Sequence, residues 1–218
     1  MPHPFVVAID GPAASGKGTL ARRLAACLGL AHLETGALYR ATGLLVLEGG
    51  GDPADPAAAI AAARRVDAGM LSDPRLRSEA VAAASSVVAT IPEVRAALLD
   101  FQRNFAAHPP APARGAVLDG RDIGSVVCPA ADVKLFVTAS PQMRAQRRLA
   151  ELQASGLVAI YEDVLRELKD RDARDAGRST APLAAPPDAI VVDTTALDAD
   201  AVLARVSEII VRVLAGNR

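Results

Sequence analysis

FVVAIDGPAASGKGT, residues 5–19, decides how this chain folds. Its first six residues are an apolar, β-branched run read as a buried strand. The next stretch, Gly11, Pro12, Ala13, Ala14, Ser15, Gly16, Lys17, Gly18 and Thr19, matches GxxxxGK. Gly18 stands where Ser or Thr usually follows the lysine, and Thr19 comes one position later. Leu20, Leu24 and Leu28 then fall on one helical face. Strand, glycine turn and helix form a unit that binds phosphate for a physical reason. Glycines let successive N–H groups curl round an anion, and the following helix adds its positive end. Lys17 can reach a transferring phosphoryl group.

Working outward, Gly115–Asp119 (GAVLD), Asp132–Thr138 (DVKLFVT) and Asp188–Asp193 (DAIVVD) read as further buried strands. Between them lie helical patterns. One runs from Thr35-Gly36 through Leu44, and alanine-rich helices cover about 57–68 and 75–89. Others start at Pro92 and Pro141, the latter capped by Ser140, and at about residue 160. A closing helix aligns Val202, Val206, Ile209, Ile210 and Val213. Thr180–Pro187 (TAPLAAPP) is irregular. Short apolar strands alternating with helices predict an α/β fold, a parallel sheet with helices on both faces. Ligands in such folds sit at the carboxyl ends of the strands.

The 218 residues suit one domain, and 51% are apolar with only 3% aromatic, so the core is aliphatic. A net charge of -1 argues against a duplex nucleic-acid binder, which carries a basic excess. Cys27 and Cys128 form no CxxC and are expected to be buried hydrophobes. No signal peptide or membrane-length apolar run is visible, so no membrane partner and a cytoplasmic location are expected. His3, His32 and His108 lie outside every motif and are not expected to be catalytic.

Six stretches carry a specific resemblance: AIDGPAASGKGT (8–19), ETGALYR (34–40), ASSVVATIPEVR (84–95), LDGRDIGSVV (118–127), KLFVTAS (134–140) with RAQRR (144–148), and RDARDAGRSTAPL (171–183). Together, and in order, they resemble bacterial cytidylate kinases of the P-loop nucleoside monophosphate kinase family. The resemblance implies a P-loop NTPase-type parallel sheet over 1–218, a helical acceptor-binding insert at 37–112 and a short lid at 145–178. It implies a monomer that transfers the γ-phosphoryl group of ATP, with Mg²⁺, to CMP or dCMP. It assigns catalysis to Lys17, Arg121, Asp122 and Arg171, and ATP binding to the loop 11–19 with Arg147. Acceptor binding falls to Thr35, Tyr39, Arg40, Ser86, Arg95, Asp119, Arg121, Asp122, Arg171, Asp175 and Arg178. Ser86 and Arg95 would meet the cytosine, Arg178 the phosphate and Asp175 the sugar. No side chain is directly assigned to the metal; as an alternative to touching the acceptor, Asp119, which closes a strand as a Walker B carboxylate does, would bind Mg²⁺ through water.

The residues themselves agree with that chemistry. Arginine suits the acceptor edge of cytosine, a hydroxyl or carboxylate suits its amine, and guanidinium forks bind phosphate bidentately. Spacing alone is weaker evidence, because Arg171, Arg174, Asp175 and Arg178 also fit a solvated helix face with exposed ion pairs. Between Glu48 and Glu79 the family typically has a longer insert with small antiparallel strands. Here the segment is short and alanine-rich, and a mostly helical subdomain is expected. Two other readings share the first motif. Another small-molecule P-loop kinase (UMP/CMP or adenylate kinase-like) would lack DGRDIG and RDARDAGR, and a nucleotide-binding switch protein would carry a guanine-binding NKxD, which is missing.

Overall fold

In the computed structural model, residues 3–178 and 180–216 are described. Five strands form one parallel sheet in the order β2-β3-β1-β4-β5: β1 (Phe5–Asp10), β2 (Ala31–Glu34), β3 (Gly115–Gly120), β4 (Val133–Thr138) and β5 (Ile190–Asp193). The expected α/β fold is therefore present, with β1 at the centre. β1 is buried on both faces, which is why its sequence is a continuous apolar run.

Alternate residues of the sheet feed two cores. Val7, Ile9, Val117, Leu135 and Val192 pack with Leu20 and Leu24 of α1 (Lys17–Leu28), and with Val202, Val206 and Ile210 of the final helix. Ala8, Leu33, Ala116 and Leu118 pack on the opposite face with Ile123, Phe101 and Phe105. Each fully buried aliphatic side chain contributes about 1.5–3 kcal/mol. The small Ala8 and Ala116 let the aromatic pair approach that face closely.

The helices between β2 and β3 build a subdomain: α2 (Thr35–Glu48), α3 (Pro56–Ala63), α4 (Glu79–Val88) and α5 (Pro92–Ala107). It is helical among the described residues, as the missing strand signals suggest. Its alanine-rich part is shorter in helix than expected, because the chain breaks into 3₁₀ turns at Ala68–Ser72 and Pro74–Arg77. Asp67 and Asp73 accept hydrogen bonds from the N–H groups of Gly69 and Arg75, and Ser78 caps α4 through Val81. These side chains compete with the helical ladder. α2 and α4 touch through small residues: a Cβ on Gly43 would lie 3.0 Å from Ala84 Cβ and 3.1 Å from Ser85 N.

After β4, α6 (Pro141–Ala154), α7 (Tyr161–Ala176) and, beyond β5, α8 (Ala199–Gly216) complete the chain. Ser140 caps α6 by accepting from Met143 N–H. Two expectations fail here. Cys27 is exposed, sitting near the end of α1 away from the core, and Cys128 is only half-buried. The strand β2 was not foreseen; it is four residues long and alternates polar and apolar. Among the described residues, no single helix is long and apolar enough to cross a membrane.

Gly43 sits where backbone surfaces meet, so Gly43→Leu overpacks the α2–α4 contact. We expect a stability loss of about 1–3 kcal/mol, read as a lower urea midpoint at unchanged m-value.

Candidate active site

β1 ends in Asp10, and the loop beyond it turns sharply. Gly11 passes so close to β4 that a Cβ would stand 2.0 Å from the Val137 carbonyl oxygen, so only glycine fits. Ala14 (φ 56) and Gly16 (φ 87) are left-handed. An alanine held there is strained, and the alternation curls N–H groups into an anion-binding concavity at the start of α1. Lys17 bends back over the loop, its Nζ donating to the Pro12 carbonyl at 3.2 Å.

The loop is held from behind by residues the motif does not contain. Thr194, just past β5, donates to the Ser15 carbonyl at 3.0 Å. Arg144 donates to Ala13 O at 3.2 Å and grips Asp172 of α7 with two bonds. Arg147, assigned above to ATP, is instead occupied by Thr194 Oγ1 (2.9 Å), Thr194 O (2.6 Å) and Ser15 O (3.4 Å). It does not line the cleft, whereas its neighbour Arg148 does.

In front of the loop is a cleft of about 890 Å³ at the carboxyl ends of the strands. This is near the upper end for a small-molecule site, about 300–1,000 Å³. The structure brings Lys17, Gly18, Thr19, Thr35, Tyr39, Arg40, Ser86, Arg95, Asp119, Arg121, Asp122, Arg171, Asp175 and Arg178 to it, along with loop residues 13–16. Gly11 and Pro12 are not among its lining residues.

On the acceptor side, Arg95 is buried, pairs with Asp122 at 2.5 Å, donates to Ala89 O and lies 5.4 Å over the Tyr39 ring. Burial pushes the Tyr39 hydroxyl up to about 12. Ser86 Oγ accepts from Arg174 Nε of α7 at 3.2 Å. Asp175 is clamped between Arg121 Nε (2.9 Å) and Arg178 Nη2. Although burial opposes it, those two guanidiniums hold the Asp175 carboxyl below the usual range. Arg40 pairs with Glu34 at 2.6 Å, and Thr35 Oγ donates to the Asp119 carbonyl.

Positive charge is in excess here. Burial, then the neighbouring Arg121, brings Lys17 down to about 7 and Arg171 to about 10. The Nε atoms of Arg40, Arg171 and Arg178 are buried without a partner among the described residues. Buried donors of this kind are matched by water or by an anion. A group of three or more His, Cys, Asp or Glu side chains able to hold a metal is absent among the described residues.

Two contributors were not read from the sequence. Asp10 accepts from the N–H groups of Ile123 (2.7 Å) and Gly124 (2.8 Å), anchoring the turn that follows Arg121 and Asp122. Burial pushes its carboxyl up to about 6, against those amide bonds. His32, set aside as outside every motif, meets Asp119 at 2.7 Å. The signal for Asp10 was its place at the end of a buried strand; His32 gave none, because β2 was not seen.

Lys17 should gain a proton when phosphates neutralise its surroundings, since a nearby opposite charge favours the charged form. At about pH 8, above the free-enzyme value, ADP binding should take up protons. Calorimetry in buffers of different ionisation heat measures this, and Lys17→Met should abolish the uptake.

Sequence comparisons with known proteins agree on one family. The sequence model described as cytidylate kinase matches residues 7–212. A cytidylate kinase of Rhodospirillum rubrum is 58% identical over 94% of this chain and 97% of its own length. One of Paramagnetospirillum magneticum is 60% identical over 89% and 92%. One of Granulibacter bethesdensis is 57% identical over 95% and 97%. Among solved structures, an uncharacterized protein from Eubacterium ventriosum aligns with a TM-score of 0.57 at 13% identity, covering 95% of this chain and 98% of that one, a likeness of fold alone. With a matching family model over nearly its whole length and relatives at this identity, the chain belongs to the cytidylate kinase family.

Proposed function

We propose that the protein transfers the γ-phosphoryl group of ATP to CMP and dCMP, giving ADP with CDP or dCDP. One observation carries the reading: Lys17 and the phosphate loop face Arg121, Arg171 and Arg178 across a single cleft, with two of those guanidiniums retaining unpartnered buried donors. Phosphoryl transfer needs two anionic groups held in line and neutralised rather than new covalent chemistry. The loop and Lys17 suit the donor's terminal phosphates. Arg40, Arg171 and Arg178 suit the acceptor phosphate, and Asp175 the sugar. Arg95 and Ser86, both buried at the far end of the cleft, suit the pyrimidine. Because Arg95 already pairs with Asp122 and Ala89 O, and Ser86 with Arg174, a base gains affinity only by matching or improving on those partners, which is the source of selectivity.

Mg²⁺ fits the donor set. It is bound through one or two carboxylates, substrate phosphates and water, so a dedicated cluster is not needed. Thr19 and Asp119 line the cleft on the loop side, and a Cβ on Gly18 would be 3.9 Å from Asp119 Oδ1. These are the residues that would hold it. When bound with nucleotide, the ion neutralises charge at the β- and γ-phosphates. Lys17 adds a positive charge at the loop, and Asp122 keeps Arg95 aligned.

We read residues 37–112 as the acceptor-binding insert and 145–178 as the lid. The α6–α7 connection supports the latter. Leu157 lines the cleft, while Val158 and Ile160 expose apolar surface. Closure over a nucleotide would cover that surface and exclude water.

Assay of ATP with each nucleoside monophosphate tests the assignment. CMP and dCMP should be turned over in preference to UMP and AMP; an enzyme that uses UMP or AMP and leaves CMP inert overturns it. Arg178→Ala should raise KM for CMP more than about tenfold, as expected for a lost hydrogen bond to a charged group of about 1.5–3 kcal/mol. KM for ATP should stay within about twofold, and equal losses for both substrates contradict the role.

A further inference from the structure

Asp119 holds its two carboxylate oxygens in different surroundings. Oδ2 lies 2.7 Å from His32 Nε2, while Oδ1 faces the first turn of α1 at Gly18. The carboxylate accepts, so Nε2 carries the hydrogen and donates it. The contact is sheltered, with the His32 side chain 19% exposed and that of Asp119 only 4%. Strand pairing creates it: in the β2–β3 register His32 lies opposite Val117, so Asp119, two residues on, is its diagonal neighbour on the same face.

Two cations stand on the cleft side of Asp119. Arg22 lines the same cleft, and its Nη1 would be 3.7 Å from a Cβ on Gly18, the point that Asp119 Oδ1 also approaches. Lys17 is close enough to feel the Asp119 charge. Among the described residues neither cation is within ion-pair distance of Asp119, so the His32 contact is the side-chain bond that fixes the carboxylate's orientation.

We propose that His32 is a positioning residue: by fixing Oδ2 it presents Asp119 Oδ1 toward Mg²⁺ bound with the donor nucleotide. The identity of that ligand rests on the function proposed above. Partners that orient a metal-facing carboxylate typically govern affinity by about 10–100-fold when removed. His32 touches neither nucleotide nor metal, so its effect should be confined to the metal-dependent part of nucleotide binding.

The test is calorimetric titration of ADP, with EDTA and again with Mg²⁺, into the wild type, His32→Leu and His32→Gln. In the wild type Mg²⁺ should tighten ADP binding. In His32→Leu that tightening should shrink about tenfold or more, while metal-free ADP affinity stays within about twofold. His32→Gln, whose amide can donate to Oδ2, should recover most of it. In an Asp119→Asn background, His32→Leu should add nothing. Should His32→Leu fail to fold by circular dichroism, His32→Asn, with an amide too short to reach, takes its place. The proposal is overturned if the leucine variant keeps the full response, loses affinity equally with and without Mg²⁺, is not bettered by glutamine, or still acts without Asp119. A wild type insensitive to Mg²⁺ overturns it too. ADP binding reads the donor side alone, so failure to phosphorylate CMP would strike the proposed reaction and leave this readout standing.

Discussion

Buried cationic charge is the constraint around which the molecule is arranged. Lys17, Arg40, Arg95, Arg121, Arg171 and Arg178 share one cleft, and each would be better solvated elsewhere. Three carboxylates make the arrangement tolerable: Asp122 takes Arg95, Asp175 takes Arg121 and Arg178, and Glu34 takes Arg40. Arg171 has no such partner among the ion pairs described, and its depressed value of about 10 records the cost. The compensation is incomplete, and the remainder is what draws phosphates in. Affinity for anions is thus stored as electrostatic strain in the ligand-free fold.

Rigidity on the donor side comes from a different source. The phosphate loop contains a strained Ala14 and is stabilised by side chains reaching its carbonyls from β5 and α6. Thr194, Arg144 and Arg147 hold the carbonyls outward, which leaves the amides free to face a ligand. The loop geometry is therefore a tertiary property. A peptide of the same sequence lacks those contacts.

This division explains what the sequence shows and what it hides. β1, the loop and α1 are legible because a short apolar run, obligatory glycines and a 3.6-residue period all coincide in adjacent residues. The cleft arginines were reachable only through a family resemblance, since their spacing equally describes a solvated helix. Arg147 comes to ATP only through the family resemblance, and in the ligand-free fold its fork is taken by carbonyls of Ser15 and Thr194. His32 and Asp10 were missed because their partners lie 87 and 113 residues away in the chain. The breaks in the alanine-rich stretch were legible in principle, since Asp67, Asp73 and Ser78 are good caps, but alanine's helix propensity masked them.

α7 has one property with wider reach. At 16 residues it is a rod of about 24 Å, and three different parts of the molecule grip it within one turn near its C-terminal end. Asp172 is gripped by Arg144 beneath the phosphate loop, Asp175 by Arg121 at the end of β3, and Arg174 reaches Ser86 on α4. Because these residues lie within one turn, spanning about 4.5 Å of helix rise, the phosphate loop, the end of β3 and α4 are tied to one another through a single node. A shift of that turn would therefore move Arg174 at Ser86 and Asp175 at Arg121 together.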